Sequence, residues 1–449
     1  MPNQIDPAKL GALHLREAAQ FRTRTPLSTQ RHAEARKVMP DGVPMAWMAG
    51  LYAHAPMFVA GGQGSRFEDI DGNSYVDFNL ADLSNTIGYG ANAVSDALAM
   101  QAARGIQHLL PSADAITVAT ELGHRTGLPF WQFTATASAA NTEVIRIART
   151  VTGRDKIVVF EGKYHGHIDP TLIEDGAPEG LGVAKTAIRD TICIPFNDPD
   201  ALARVLAAGD VALVITEPAL TNCTLVLPDP GFWETVYTLC QNHGALLCFD
   251  ETHTWQFAYG GMMRAMGLKA DFISLGKGLG TGVPLGCYGM TAPLAAFLEE
   301  NLDHYGASTR GLAIGGTTYG SALTMAAVRA GLEVIATEAA YARMATLGAR
   351  LSDGIDAIVA RHKLPWRAFR YGPRAGFCLL PDLPRNYQEA QPALYLEQSA
   401  ARRLFLANRG IWDAIPSAGP QVSFVHSAAD IDTYLAVSDE FLAEVVTAS

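Results

Sequence analysis

Lysine is scarce in this 449-residue chain, and most of the positive charge is arginine. No apolar run reaches the ~20 residues that a helix needs to cross a bilayer, so a helical membrane span is not expected. The six cysteines (Cys193, Cys223, Cys240, Cys248, Cys287 and Cys378) contain no C-x-x-C pair. Several sit in apolar runs where a thiol packs as a small hydrophobe, which points to a reduced, cytoplasmic protein. Neither G-x-x-x-x-G-K-[ST] nor G-x-G-x-x-G occurs, so the two common nucleotide-binding loops are missing. Acidic residues outnumber basic ones 45 to 34, for a net charge of -11. Such a surface attracts neither nucleic acid nor an anionic membrane, and neither partner is expected. The start, Met1-Pro2-Asn3-Gln4-Ile5-Asp6, lacks the basic and apolar regions of a signal peptide.

The length exceeds one small core, which predicts a large α/β domain with a smaller one against it. Residues 1–85 read as an arm and hairpin, 86–333 as the large domain and 334–449 as a C-terminal small domain. A helix around Ser28 to Val38 is stopped by Pro40-Asp41-Gly42. Asp71-Gly72 between alternating residues marks a tight hairpin turn. The Asp69-x-Asp71-Gly72 spacing hints at a calcium loop, but the later ligands are missing. Between about 115 and 330, β-rich runs alternate with helical stretches: Phe130 to Thr134, Lys156 to Phe160, Val211 to Thr216, Ala245 to Phe249, Phe272 to Leu275 and Gly286 to Gly289. The alternation predicts an open, mostly parallel sheet covered by helices on both faces.

Two of these runs end in ionisable residues, Leu246-Leu247-Cys248-Phe249-Asp250 and Phe272-Ile273-Ser274-Leu275-Gly276-Lys277. Ligands of open α/β sheets bind beyond the carboxyl ends of the strands, so both side chains are expected in one crevice. Burial disfavours the ammonium form of a lysine, and the neutral amine is the form that makes Schiff bases. Thr134-Ala135-Thr136-Ala137-Ser138 follows a strand and opens a helix, where free N–H groups bind anions. Tyr164, in Gly162-Lys163-Tyr164-His165-Gly166, offers an aromatic face. Arg370 and Arg374 are candidates for a fork that would hold a substrate carboxylate. Trp47 and Trp255 are expected to shape a substrate pocket.

In order along the chain stand Tyr164-His165-Gly166, Glu217-Pro218, Asp250-Glu251, Ser274-Leu275-Gly276-Lys277-Gly278 and Gly316-Thr317-Thr318-Tyr319-Gly320. Together with Val38-Met39-Pro40-Asp41-Gly42-Val43, they resemble the motifs of class III aminotransferases, most closely the branch of glutamate-1-semialdehyde aminomutase. The likeness runs from about Ala33 to Asp432. It implies the type I fold of pyridoxal phosphate (PLP) transferases: a large domain with a mostly parallel sheet, and a small α+β domain formed by the N-terminal arm and C-terminal segment. It further implies that Lys277 carries PLP as a Schiff base and moves the proton, with Asp250 on the ring nitrogen and Tyr164 over the ring. Thr136, Ala137 and Ser138 would hold the phosphate. Asn222 and His253 would lie near the phenolic oxygen, Thr252 beneath the ring, and His165 and Glu217 beside the cofactor. Thr317 would reach the phosphate from a neighbouring subunit, making a homodimer with active sites at its interface, and Thr318 would also bind the cofactor.

Some positions depart from the family. Thr136-Ala137-Ser138 replaces Ser-Gly-Thr, Ala139 replaces glutamate, and Thr252 stands where valine is usual. No Gly-Phe-Arg follows Thr254. Ile415-Pro416-Ser417-Ala418-Gly419 keeps the aminomutase Pro-Ser without its acidic residue. The expected reaction is therefore transfer from an amino acid or amine, β- and D-amino acids included, to a keto acid or aldehyde acceptor. The alternative is internal transfer by an aminomutase. A non-catalytic PLP-binding sensor is a third reading. The fourth is a metal-dependent hydrolase using His165, His167, Asp169, Asp250, Glu251 and His253, although no complete metal-ligand spacing is present and no metal is expected.

Overall fold

A computed structural model of the chain describes residues 4–50, 54–174, 177–302, 311–415 and 419–447. It divides into two units, one of Asn92–Tyr341 with Pro384–Ala390, the other of Met1–Ala91, Ala342–Leu383 and Gln391–Ser449.

The sheet of the first unit contains β1 (Phe130–Thr134), β2 (Lys156–Phe160), β3 (Thr191–Ile194), β4 (Val211–Thr216), β5 (Leu246–Asp250), β6 (Phe272–Leu275) and β7 (Gly286–Met290). Their order is β1-β7-β6-β5-β4-β2-β3. Neighbours from β3 to β6 pair in parallel, while β7 runs antiparallel to both β6 and β1. Successive side chains point to opposite faces. In β2, Val158 and Phe160 join one apolar cluster, whereas Ile157 and Val159 join another. Both faces are thus covered, which explains why these strands read as unbroken apolar runs. The strand β3 was not anticipated.

The helix α1 (Ala137–Thr152) follows β1 directly. Thr136 caps it, its side-chain oxygen accepting from the Ala139 N–H at 3.1 Å, and Gly153 ends it at φ +66°. Its buried face, Ala140, Val144, Ile147 and Ala148, belongs to the same cluster as Ile157 and Val159.

The second unit holds an antiparallel meander, Val59–Gln63, Arg66–Asp69 and Ser74–Asp77, with Ile411–Trp412 parallel to its last strand. The Asp71-Gly72 turn is present, with the Gly72 N–H donating to Asp69 O at 3.1 Å. The Asp71 carboxylate accepts from the N–H groups of Leu27 and Ser28, at 2.6 and 3.0 Å, and so caps the helix Pro26–Ala35. Arg367–Tyr371 and Arg374–Cys378 form a separate hairpin. Among the described residues, no helix is long and apolar enough to cross a membrane.

Candidate active site

The β5 and β6 strands lie side by side, with Asp250 in register with Ser274. Asp250 closes β5, and Lys277 follows β6 after the single residue Gly276. Lys277 is half-buried and holds a positive φ of 45°, a conformation that side chains other than glycine's rarely adopt. Such a backbone persists only where its surroundings impose it. A Cβ on Gly276 would lie 2.9 Å from the Ala137 Cβ, so glycine lets the lysine turn approach the start of α1. Gly166 plays the same part on the other side, since a Cβ there would lie 2.1 Å from Ser138 Oγ. Three segments thus meet around the N-terminus of α1.

The first four N–H groups of a helix find no partner inside it. In α1, Thr136 takes those of Ala139 through its hydroxyl and Ala140 through its carbonyl. The amides of Ala137 and Ser138 complete this helix start, where the helix dipole favours an anion. Ser138 Oγ also accepts from the His167 N–H at 3.1 Å.

Asp250 is 3 % exposed, and its carboxylate is surrounded by donors. Oδ2 receives the Asn141 amide and faces His165 Nδ1, both at 2.9 Å. Oδ1 receives the Thr252 N–H at 3.0 Å and hydroxyl at 2.6 Å. Burial alone would push this carboxyl up, but His165, Thr252 and Asn141 outweigh it and hold the group at about 2. Asn141 was missed in the sequence, although an amide on the apolar face of α1 was the available signal. The hydroxyl of Thr252, a residue expected beneath a ring, is one of the donors to Asp250.

On the lysine side, Nζ is within hydrogen-bonding distance of His253 Nε2. It stands 5.9 Å from the centre of the Tyr164 ring, which is 39 % exposed. His253 Nδ1 meets Thr221 Oγ1 at 2.6 Å, and the Thr221 hydroxyl donates to Glu217 Oε2. Glu217, Thr221 and His253 are all buried. Thr221 also escaped the sequence reading. Asn222 Nδ2 and His165 Nε2 are buried with no hydrogen-bond partner among the described residues.

Thr317 and Thr318 are exposed, with Gln107 Nε2 donating to the Thr317 carbonyl at 3.0 Å. Trp255 was expected to narrow a substrate pocket. It is 2 % exposed and packed in the core, which leaves it almost no surface for a substrate. In the second unit, Trp47 and Arg370 are exposed, whereas Arg374 is buried with its guanidinium 5.6 Å from the centre of the Phe369 ring. Pro416 and Ser417 lie outside the described residues. Among the described residues, no group of three or more His, Cys, Asp or Glu side chains is placed to hold a metal ion.

A mostly parallel sheet thus sets a lysine and an ionised carboxylate at neighbouring strand ends, close to the start of α1. Residues 48–367 fit the sequence profile described as "Aminotransferase class-III", and the chain belongs to that family. The family is PLP-dependent. A glutamate-1-semialdehyde 2,1-aminomutase from Symbiobacterium thermophilum is 33 % identical over 92 % of this chain and 96 % of its own. The crystal structure of a glutamate-1-semialdehyde-aminomutase from Pseudomonas aeruginosa PAO1 in complex with PMP superposes with TM-score 0.94 at 36 % identity, covering 99 % and 100 % of the two chains. A β-phenylalanine aminotransferase from Variovorax paradoxus gives 0.87 at 26 % identity, covering 97 % of each.

The residues present fit PLP. The Ala137 and Ser138 amides suit its phosphate, the Asp250 anion a protonated ring nitrogen, and the buried Asn222 amide an oxygen acceptor. An unmet buried donor costs about 1–3 kcal/mol, so a ligand that supplies the acceptor is favoured.

Proposed function

We propose that this protein transfers an amino group from an amino acid or primary amine, β- and D-amino acids included, to a keto acid or aldehyde. The observation that carries this reading is Lys277 beside a buried, ionised Asp250 at the ends of adjoining strands. PLP, when bound, supplies an electron sink for the carbon that bears the amino group. Asp250 keeps the ring nitrogen protonated, and Asn141, His165 and Thr252 keep Asp250 charged. Thr136, Ala137 and Ser138 hold the phosphate, Tyr164 covers the ring, and Asn222 meets the phenolic oxygen with His253 nearby. Lys277 is the covalent anchor and carries the proton at the substrate carbon. Arg370 is retained as the candidate for a substrate carboxylate. The working unit is a cytoplasmic homodimer in which Thr317 and Thr318 complete the neighbouring subunit's phosphate site.

Replacing Lys277 with alanine should lower turnover by at least ~10⁴-fold and remove the visible absorbance of lysine-bound cofactor. Full activity in that variant would sink the assignment.

Internal transfer, as in an aminomutase, is the second reading, favoured by relatives of that name at 33–36 % identity. A panel of donors incubated with and without a carbonyl acceptor separates the two. Transfer to a second molecule requires the acceptor, whereas isomerisation proceeds without it. A protein that binds PLP and turns over no donor would be the sensor.

A further inference from the structure

The lysine end of the site contains a continuous line of polar groups. From Nζ of Lys277 it passes through both ring nitrogens of His253 and Thr221 Oγ1 to Glu217 Oε2. Glu217 is 2 % exposed, Thr221 0 % and His253 5 %.

The direction of donation follows from what each group can give. A hydroxyl has one proton to donate. If Glu217 is ionised it can only accept, so Thr221 donates to it and must itself accept from His253 Nδ1–H. Nε2 then carries a lone pair and accepts from the Lys277 ammonium. If Glu217 is instead protonated, each donation reverses: Glu217 to Thr221, Thr221 to Nδ1, and Nε2–H to a neutral Lys277 amine. The same heavy-atom positions serve both arrangements.

We propose that Glu217, Thr221 and His253 form a proton relay that takes a proton from Lys277 and stores it on Glu217. Three bonds break, Nζ–H, Nδ1–H and the Thr221 O–H, and three form, Nε2–H, a new Thr221 O–H and Oε2–H. The charged lysine–glutamate pair becomes a neutral pair without any proton reaching solvent. In a buried site this avoids leaving one charge alone, which is the costly alternative. His253 touches the lysine directly, whereas Thr221 and Glu217 are positioning residues that act through it.

The inference rests on Lys277 being the PLP anchor. Only a neutral amine attacks the aldehyde, so the rate of covalent capture reads the relay without any substrate turnover. The full-length protein, freed of cofactor, is given PLP, and capture is followed by visible absorbance and by borohydride trapping of the Lys277 peptide. Thr221→Val keeps the shape but removes the hydroxyl, Thr221→Ser restores it, and Glu217→Gln removes the proton store. Capture should slow by at least about tenfold in T221V and E217Q, and return to near the wild-type rate in T221S. Wild-type rates in T221V and E217Q would overturn the relay, as would slow capture in T221V that T221S fails to rescue. Wild-type protein that never bonds PLP at Lys277 would overturn the functional reading, and the relay with it.

Discussion

Asp250 and Glu251 are neighbours in the chain and both are buried, yet their surroundings shift the two carboxyls in opposite directions. Asp250 turns toward Asn141, His165 and Thr252 and is held at about 2. Glu251 turns toward the short helix Gly261–Ala265, accepting from the N–H groups of Met262 and Met263 at 2.6 and 2.7 Å and from the Thr254 hydroxyl at 2.9 Å. Burial pushes Glu251 up to about 7, hydrogen bonds from Met263, Met262 and Thr254 oppose it, and the charge of Asp250 adds to the rise. Both carboxyls have donors. Burial raises both, but at Asp250 the side-chain donors His165, Thr252 and Asn141 outweigh it, whereas at Glu251 the backbone donors Met263 and Met262 and the Thr254 hydroxyl do not. One strand end therefore carries a carboxyl held low beside one held high.

The contrast breaks most severely when the anion is removed. Asp250→Asn keeps shape and burial but cannot hold a ring nitrogen protonated, and steady-state turnover should fall on the order of 10³-fold. Wild-type turnover would separate the carboxylate from the chemistry.

Glu251 tests the other half through stability. Its folded-state value of about 7 lies above the ordinary 4.5, so the folded protein holds an extra proton between them. That contribution is fully present below 4.5 and is lost as pH rises through about 7, roughly 3 kcal/mol in all. Glu251→Gln should flatten the dependence of thermal unfolding on pH across this window. An unchanged slope would mean that Glu251 is ionised throughout.

A smaller effect is expected from His165→Ala, which leaves Asp250 charged but with fewer partners. Turnover should drop about tenfold, and the acid limb of its pH profile should move upward. An acid limb that stays in place would transfer the role of holding Asp250 ionised to Asn141 and Thr252.

Much of this frame was legible because the strands are buried on both faces and spell it in continuous apolar runs. The short β3, Thr191–Ile194, lacks such a run and was overlooked. The reversed direction of β7 could not be read, since side-chain periodicity carries no information about strand polarity. Lys277 and Asp250 stood out because charge directly after an apolar strand is unusual. Their supports did not, because those contacts join residues distant in sequence: Asn141 and Asp250 are 109 positions apart, and Thr221 and His253 are 32 apart. Thr221 looks like any loop threonine until the fold sets it between a carboxylate and an imidazole. The burial of Arg374 and Trp255 was likewise invisible, since each is a residue type equally at home lining a pocket.

The left-handed backbone at Lys277 has one more consequence. Glycine would occupy that conformation without the penalty of a side chain, which is roughly 1 kcal/mol. A lysine at this position is therefore held against the preference of its own backbone. Redesign guided only by thermal tolerance would tend to remove this lysine.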